Sequence, residues 1–217
     1  MSMSNIDTIN ETIRELKADL RSAMNGVAAQ SIRESGMGYK LTFGVELPRL
    51  RTIASNYTPS TSLAQALWQE NIREWKILAV LLYPAEEFDA SVADLWLESL
   101  PVQQTEIAQI LCMERASGMP SAANQAFIWM ADERPLFQLC GFNTLTRLFM
   151  KDAVLSPDAE EEFLDQAAAA FDSDFMPLRK AVLHAITRFG STSPEAQKKV
   201  EQMNFFSHLF GKDANLA

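Results

Sequence analysis

The amino-acid sequence predicts an all-α protein, a solenoid of antiparallel helix pairs with about 11–12 helices. Apolar residues recur at three- and four-residue intervals, and no alternating polar–apolar run exceeds about four residues, so strand evidence is nearly absent. Helix pairs begin near Ile72, Gln103, Pro135 and Met176, at intervals of about 31, 32 and 41 residues that suit stacked helical hairpins. Glycine is scarce, and prolines fall at helix starts and boundaries.

The first five helices are predicted from apolar stripes and from residues that open or cap a helix. The fifth helix has almost no polar side, so it must be covered on most faces and therefore belongs inside an array. The expected positions are Asn5 to Met24, Val27 to Glu34, a helix with Pro48 in its first turn, a helix capped by Ser62, and Arg73 to Tyr83.

The remaining helices follow from the same signals, and a single domain is expected over residues 1–208 with a flexible tail over 209–217. The expected positions are Ala85 to Leu100, Pro101 to Gly118, Ala122 to Ala131, Leu136 to Met150, a helix opened by Ser156 and Pro157, Pro177 to Phe189, and Pro194 to Phe206.

The composition and the net charge of the chain limit the classes of function that are expected. The net charge of the 217-residue chain is −9, which lowers the expectation of nucleic-acid binding because that affinity depends largely on lysine and arginine. No Lys or Arg occurs between Ile77 and Glu114, so positive charge collects before and after this stretch. No secretory signal and no membrane-spanning run is found, so a cytoplasmic location is expected.

Cysteine, histidine and tryptophan give no clear sign of a metal or cofactor site. Cys112 and Cys140 lie in apolar surroundings and are expected to be buried thiols, with a metal site or a disulfide as the alternatives. The four tryptophans sit at helical spacing among aliphatic residues, which favours core packing over base stacking. No common phosphate-binding, nucleophile or zinc motif occurs, so neither a cofactor nor a metal is expected.

Two groups of short motifs resemble a known family. They are Gly44-Val45, Pro48-x-Leu50-Arg51, Leu67-Trp68 and Arg73-Glu74 early in the chain, and Leu178-Arg179-Lys180-Ala181 and Arg188-Phe189-Gly190 late in the chain. In order and separation they are similar to the AlkD-type DNA alkylation repair glycosylases. The resemblance covers about residues 39–200 and implies a fold of HEAT-like repeats.

The resemblance also implies where catalytic groups should lie. The family has a Trp-Asp step and a second Asp three residues later, and these positions correspond to Gln104, Thr105 and Ala108 here. A carboxylate at such a site would stabilise the positive charge that develops on the sugar. Glu106 is the nearest acid, but its spacing from Ala108 places it on a different side of the helix.

Two further functional positions of the family have also changed. An arginine that reaches the DNA backbone corresponds to Leu139, and an aromatic residue shortly before it corresponds to Leu136. A late tryptophan that lines the concave cleft corresponds to His184, for which we favour a partly buried histidine bonded to a neighbour over an acid–base group.

Cations near both groups of motifs form the expected phosphate-binding set, with pairing to nearby acids as an equal alternative. This set consists of Arg49, Arg51, Arg73, Lys76, Arg179, Lys180 and Arg188. The favoured function is a non-catalytic HEAT-like module whose concave face binds duplex DNA or, failing that, a protein partner. The alternative is an active glycosylase that excises N-alkylated purines such as 7-methylguanine, with Glu106 or Glu114 as a relocated carboxylate.

Overall fold

The computed structural model describes residues 3–203, and these residues form twelve α-helices. The helices are α1 Met3–Ser22, α2 Gly26–Glu34, α3 Leu47–Ala54, α4 Thr61–Trp68, α5 Arg73–Leu82, α6 Ala90–Glu98, α7 Thr105–Glu114, α8 Ala122–Met130, α9 Pro135–Phe149, α10 Pro157–Phe171, α11 Met176–Gly190 and α12 Pro194–Glu201. Two short 3₁₀ turns, Ala85–Glu87 and Ala116–Gly118, and one isolated β-bridge between Leu41 and Ile72 complete the regular structure of the described residues. The all-α prediction is confirmed.

The chain divides into two compact units, with the boundary between Met119 and Pro120. The first unit contains α1 to α7, and the second contains α8 to α12. Residues 209–217, predicted to be a flexible tail, lie outside the described residues. None of the helices that the structure describes is long and apolar enough to cross a membrane.

Helix α5 is the centre of the first unit. It packs against α3, α4 and α7, while α1 packs against α4. Every residue of α5 except Leu81 is buried, and so is the capping Tyr83, as the apolar sequence predicts. The prediction that this helix lies inside an array is therefore confirmed.

A buried carboxylate fixes the loop that precedes α3. The side chain of Glu74, 0% exposed, accepts hydrogen bonds from the backbone nitrogens of Phe43 (3.0 Å), Gly44 (3.0 Å) and Val45 (3.2 Å). The hydroxyl of Thr42 also donates to it, at 3.0 Å. Gly44 has a φ of +70°, which suits glycine because it has no Cβ.

The second unit is organised around α9 and α11, which pack against each other. Helix α8 packs on α9, while α10 and α12 pack on α11. Its core contains a cluster of rings from three helices, with centroids 5.3–6.3 Å apart in the contacting pairs. These rings belong to Phe142, Phe149, Phe163 and Phe189.

Three helix starts differ from the sequence prediction, and at two of them a residue other than the predicted one caps the helix. Ser60, and not Ser62, caps α4 by accepting a hydrogen bond from the nitrogen of Leu63. The helix expected to begin at Ala85 is a 3₁₀ turn, and α6 starts only after Asp89, whose Oδ1 accepts from the nitrogen of Val92 at 3.0 Å. The helix expected from Pro101 begins at Thr105.

Candidate functional site

The positions that correspond to the family's Trp-Asp motif lie at the start of α7. Gln104 is the N-cap residue and is fully buried, with its Nε2 donating to Oδ1 of Asn71 at 3.0 Å. Its Oε1 atom has no hydrogen-bond partner among the described residues. Thr105 is half-buried, and Ala108 is fully buried one turn later. The structure therefore places an amide and a methyl group in the interior, at the positions to which the resemblance assigns an indole and a carboxylate.

Glu106, the nearest acid, is held by an arginine. Nε of Arg73 donates to Oε2 of Glu106 at 2.8 Å, and Nη2 donates to Oε1 at 2.6 Å. Arg73 is only 5% exposed, and its Nη1 also donates to the carbonyl of Val45 at 2.8 Å and to Glu74 at 3.0 Å. Burial alone would lower the pKa of Arg73, but the hydrogen bond and charge of Glu106 together with Glu74 raise it above its usual value.

Glu114, the second possible carboxylate, is also paired. Nη2 and Nε of Arg51 donate to its Oε1 at 2.5 Å and 3.1 Å. Both groups are partly exposed, so this ion pair adds little stability, but it still occupies the carboxylate.

Tyr39 was not among the predicted site residues, although its side chain lies in the same electrostatic environment. Its hydroxyl is buried without a hydrogen-bond partner among the described residues. Burial, followed by the negative charge of Glu106, raises the pKa of this phenol. No sequence pattern identifies it, because its interaction with Glu106 links positions distant in the chain.

The family's arginine position on α9 is apolar and buried. Leu139 is 0% exposed, and Leu136 is also buried. Neither residue can contact a phosphate group from this position. Leu136 and Leu139 therefore belong to the core of the second unit.

His184 is exposed, so our expectation of a partly buried histidine bonded to a neighbour is wrong. The reason is helical register, because the opposite side of α11, which includes Ala185 and Ile186, packs into the core. Lys180 and Arg188, one turn before and one turn after His184, are also exposed. We call these three residues the α11 basic row.

The predicted phosphate-binding set divides into buried and exposed members. The structure corrects the prediction for Arg73 and Lys76. These residues are 5% and 6% exposed, so they do not lie on an open surface. Their burial results from contacts made by the folded chain, since Lys76 Nζ donates to the carbonyl of Trp68 at 3.0 Å. Arg51 is paired with Glu114, as the alternative of ion pairing predicts.

The other members of the set remain at or near the surface. Arg49 is exposed on α3, and Arg179 is half-buried with its guanidinium 5.3 Å from the ring centroid of Phe171. Within the described residues, no acid forms an ion pair with Lys180 or Arg188.

Both cysteines are buried, and neither is in a disulfide, as the sequence predicts. No group of three or more His, Cys, Asp or Glu side chains in the described part of the chain has the arrangement of a metal site. All four tryptophans are buried, which confirms the prediction of core packing.

Comparison with known proteins decides the family. A family model described as DNA alkylation repair enzyme matches residues 16–200, which is most of the chain. The chain belongs to this AlkD-type DNA alkylation repair family. A comparison with curated proteins finds no significant match.

A solved structure has a fold similar to that of this chain. That structure is described as "a new family of proteins related to the HEAT-like repeat DNA glycosylases with affinity for branched DNA structures". The TM-score is 0.73 at 15% sequence identity, and the match covers 86% of this chain and 79% of that one. The prediction of a HEAT-like helical repeat fold is confirmed.

Proposed function

We propose that this chain is a non-catalytic, DNA-binding member of the AlkD-type family. The α11 basic row carries the DNA-binding part of the proposal. Lys180, His184 and Arg188 are spaced by four residues, so they lie on one face of α11 and span about 12 Å along its axis. The family resemblance assigns the position of His184 to the wall of the cleft.

The electrostatics of α11 support this assignment. Helix α11 contains no Asp or Glu, and no described acid forms an ion pair with its two exposed cations. Unpaired lysine and arginine on one helix face are the groups that neutralise phosphates and release counterions. A short row of this kind can bind a nucleic-acid backbone even in a chain whose net charge is −9.

The non-catalytic part of the proposal is supported by the interior positions. Gln104, Ala108 and Leu139 are all buried and carry no carboxylate or cation. Glu106 and Glu114 are both held in arginine ion pairs. A carboxylate in such a pair is less able to stabilise a developing cation, because the guanidinium already neutralises its charge.

The salt dependence of DNA binding tests the proposal. Fluorescence anisotropy with a labelled duplex and a labelled four-way junction measures the affinity over a series of salt concentrations. The junction is included because the solved relative is described as having affinity for branched DNA. For the native chain, we expect the logarithm of the affinity to fall linearly with the logarithm of the salt concentration.

The double variant K180A/R188A should bind more weakly, and its salt slope should fall by about 2, because each phosphate contact contributes about 1. The matched control is R14A/K17A, which removes two exposed cations from α1 and should leave the slope unchanged. Equal losses in both variants would show a general charge effect and contradict a role for the α11 basic row. An absence of binding to either DNA at low salt would contradict the proposal and favour a protein partner.

A further inference from the structure

A pocket of about 620 Å³ in the first unit has no role in the proposed DNA binding. It lies where the end of α4, the first half of α5 and the C-terminal end of α6 meet. Its wall combines indole rings, carboxamides and a single formal charge. The lining residues that carry the inference are Gln65, Gln69, Asn71, Lys76, Trp68 and Trp96.

Lys76 is the charged residue of this pocket. It is only 6% exposed, and no acid among the described residues pairs with it. Its Nζ donates one hydrogen bond, to the carbonyl of Trp68 at 3.0 Å, and lies 4.4 Å from the centroid of the Trp68 ring. An ammonium group has three donors, so these contacts leave it incompletely satisfied. Burial lowers the pKa of Lys76, because no nearby negative charge offsets its desolvation.

The aromatic wall of the pocket is fixed in position. The rings of Trp68 and Trp96 stack with centroids 4.0 Å apart and an angle of 8° between their planes. Nε1 of Trp68 donates to Oγ of Ser99 at 2.9 Å, so its indole N–H is already satisfied. At the mouth of the pocket, Leu95 is 65% exposed, which adds apolar surface that a ligand could cover.

The composition of the lining defines the class of ligand. No acid lines the pocket, and the carboxamides of Gln65, Gln69 and Asn71 can donate hydrogen bonds to an anion. One cation matches a singly charged carboxylate better than a phosphate dianion or a polyanion, which several cations usually bind together. The stacked indoles and Leu95 suit a ligand with an apolar body next to its charged group.

We propose that this pocket binds a carboxylate attached to an apolar body, with Lys76 as the counter-ion of the carboxylate. Two sources share this chemistry, a free organic acid and the C-terminal carboxylate of a peptide. The inference is independent of the proposed function, since the α11 basic row belongs to the other unit.

Indole N–H resonances provide a direct test. Benzoate is titrated into the ¹⁵N-labelled native chain and compared with benzamide, which has the same shape and no charge. We expect benzoate to shift the resonances of Trp68 and Trp96, while those of Trp75 and Trp129, which do not line the pocket, serve as references. Benzoate should bind about tenfold more tightly than benzamide, since a hydrogen bond to a charged group is stronger than a neutral one.

Two variants test whether the affinity for benzoate depends on the charge of the pocket and not only on its shape. K76M keeps the apolar stem and should reduce the affinity for benzoate to that for benzamide. If K76M does not fold, Q65E places a negative charge at the exposed rim and should weaken benzoate binding several-fold. The matched control is Q109E, which changes an exposed glutamine of α7 outside the pocket and should leave the affinity unchanged.

Peptides distinguish the source of the carboxylate. A short peptide ending in leucine with a free carboxylate is compared with its C-terminal amide. Tighter binding of the free-acid peptide than of benzoate would support a chain terminus as the ligand, and the reverse would support a small organic acid. The proposal is overturned if benzoate and benzamide bind equally, or if no titrant moves the Trp68 and Trp96 resonances.

Discussion

Glu74 is the residue on which the loop before α3 depends. It lies 0% exposed and accepts three backbone hydrogen bonds and one from a hydroxyl, while Arg73 donates to it from the neighbouring position. Four of these donors share Oε1 of the carboxylate, and the nitrogen of Phe43 donates to Oε2. The same loop carries the Gly44-Val45 step that contributes to the family resemblance, so a buried ion pair supports one of the most recognisable parts of the sequence.

Replacing Glu74 with glutamine should destabilise the protein by about 3 kcal/mol, the range expected when one partner of a buried ion pair is removed. The amide keeps one acceptor oxygen but directs an NH₂ group towards backbone donors. Urea unfolding followed by circular dichroism measures the change. The control is E70Q at an exposed position between α4 and α5, which should change stability by less than about 0.5 kcal/mol. Equal stabilities of E74Q and E70Q would contradict this account.

Residue identity alone did not predict which cations are exposed. Arg73 lies in the interior because Glu106, 33 positions later, provides a carboxylate there. Lys76 lies in the interior because the end of α4 presents a carbonyl to it. Both contacts join parts of the chain that only the fold brings together, and a local pattern contains no information about them.

Among the helices, the contact between α8 and α9 depends on a glycine. A Cβ atom added at Gly141 would lie 2.6 Å from the carbonyl oxygen of Ala126 and 2.8 Å from the nitrogen of Met130. Both are backbone atoms of α8, so the two helices would have to move apart. The close approach explains a glycine in the middle of a 15-residue helix, where glycine otherwise costs about 0.5–1 kcal/mol relative to alanine.

We expect Gly141→Ala to destabilise the protein by about 2 kcal/mol, because overpacking outweighs the gain in helix propensity. Gly190→Ala is the matched control, since the nearest atom to an added Cβ there is Cγ2 of Val200 at 3.4 Å, an ordinary contact. The control should be neutral or slightly stabilising. Thermal unfolding of both variants provides the measurement, and a stabilised Gly141→Ala would show that α8 and α9 are not closely packed.

The sequence predicted the existence of the helices better than their starts. The apolar sequence of α5 predicts burial on most of its faces, and almost the whole helix is buried as expected. The start of a helix depends on which of several possible caps is used, and this choice depends on the path of the preceding chain. Ser60 was preferred to Ser62, and Asp89 set the start of α6 after a 3₁₀ turn.

At the scale of the whole molecule, the chain combines the family fold with an acidic net charge, which by itself disfavours binding to nucleic acid. The net charge is −9, and two of the cations expected at the surface are buried. The fold class followed from periodicity and from motifs at both ends of the chain. The surface could not be predicted in the same way, because the exposure of Lys180, His184 and Arg188 depends on the side of α11 that packs into the core.

The lack of an unpaired carboxylate among the described residues of the candidate site leads to a prediction about catalysis. Base excision requires a group that stabilises the positive charge developing on the sugar, and a carboxylate is the side chain suited to that task. The positions that the resemblance assigns to such a group carry no carboxylate here, and Glu106 and Glu114 are paired with Arg73 and Arg51. We therefore expect no release of free 7-methylguanine from an alkylated duplex above the rate in a protein-free sample, as measured by mass spectrometry of the liberated base.

The variants E106Q and E114Q identify the responsible glutamate if the native chain does release the base. Should the native chain release the base, loss of activity in only one of them would identify that glutamate as the working carboxylate, despite its arginine partner. Loss of activity in neither would indicate a group outside both ion pairs. In each case the expectation of a non-catalytic protein would be wrong, whereas DNA binding through the α11 basic row would remain open to its own salt-dependence test, because neither variant changes Lys180 or Arg188.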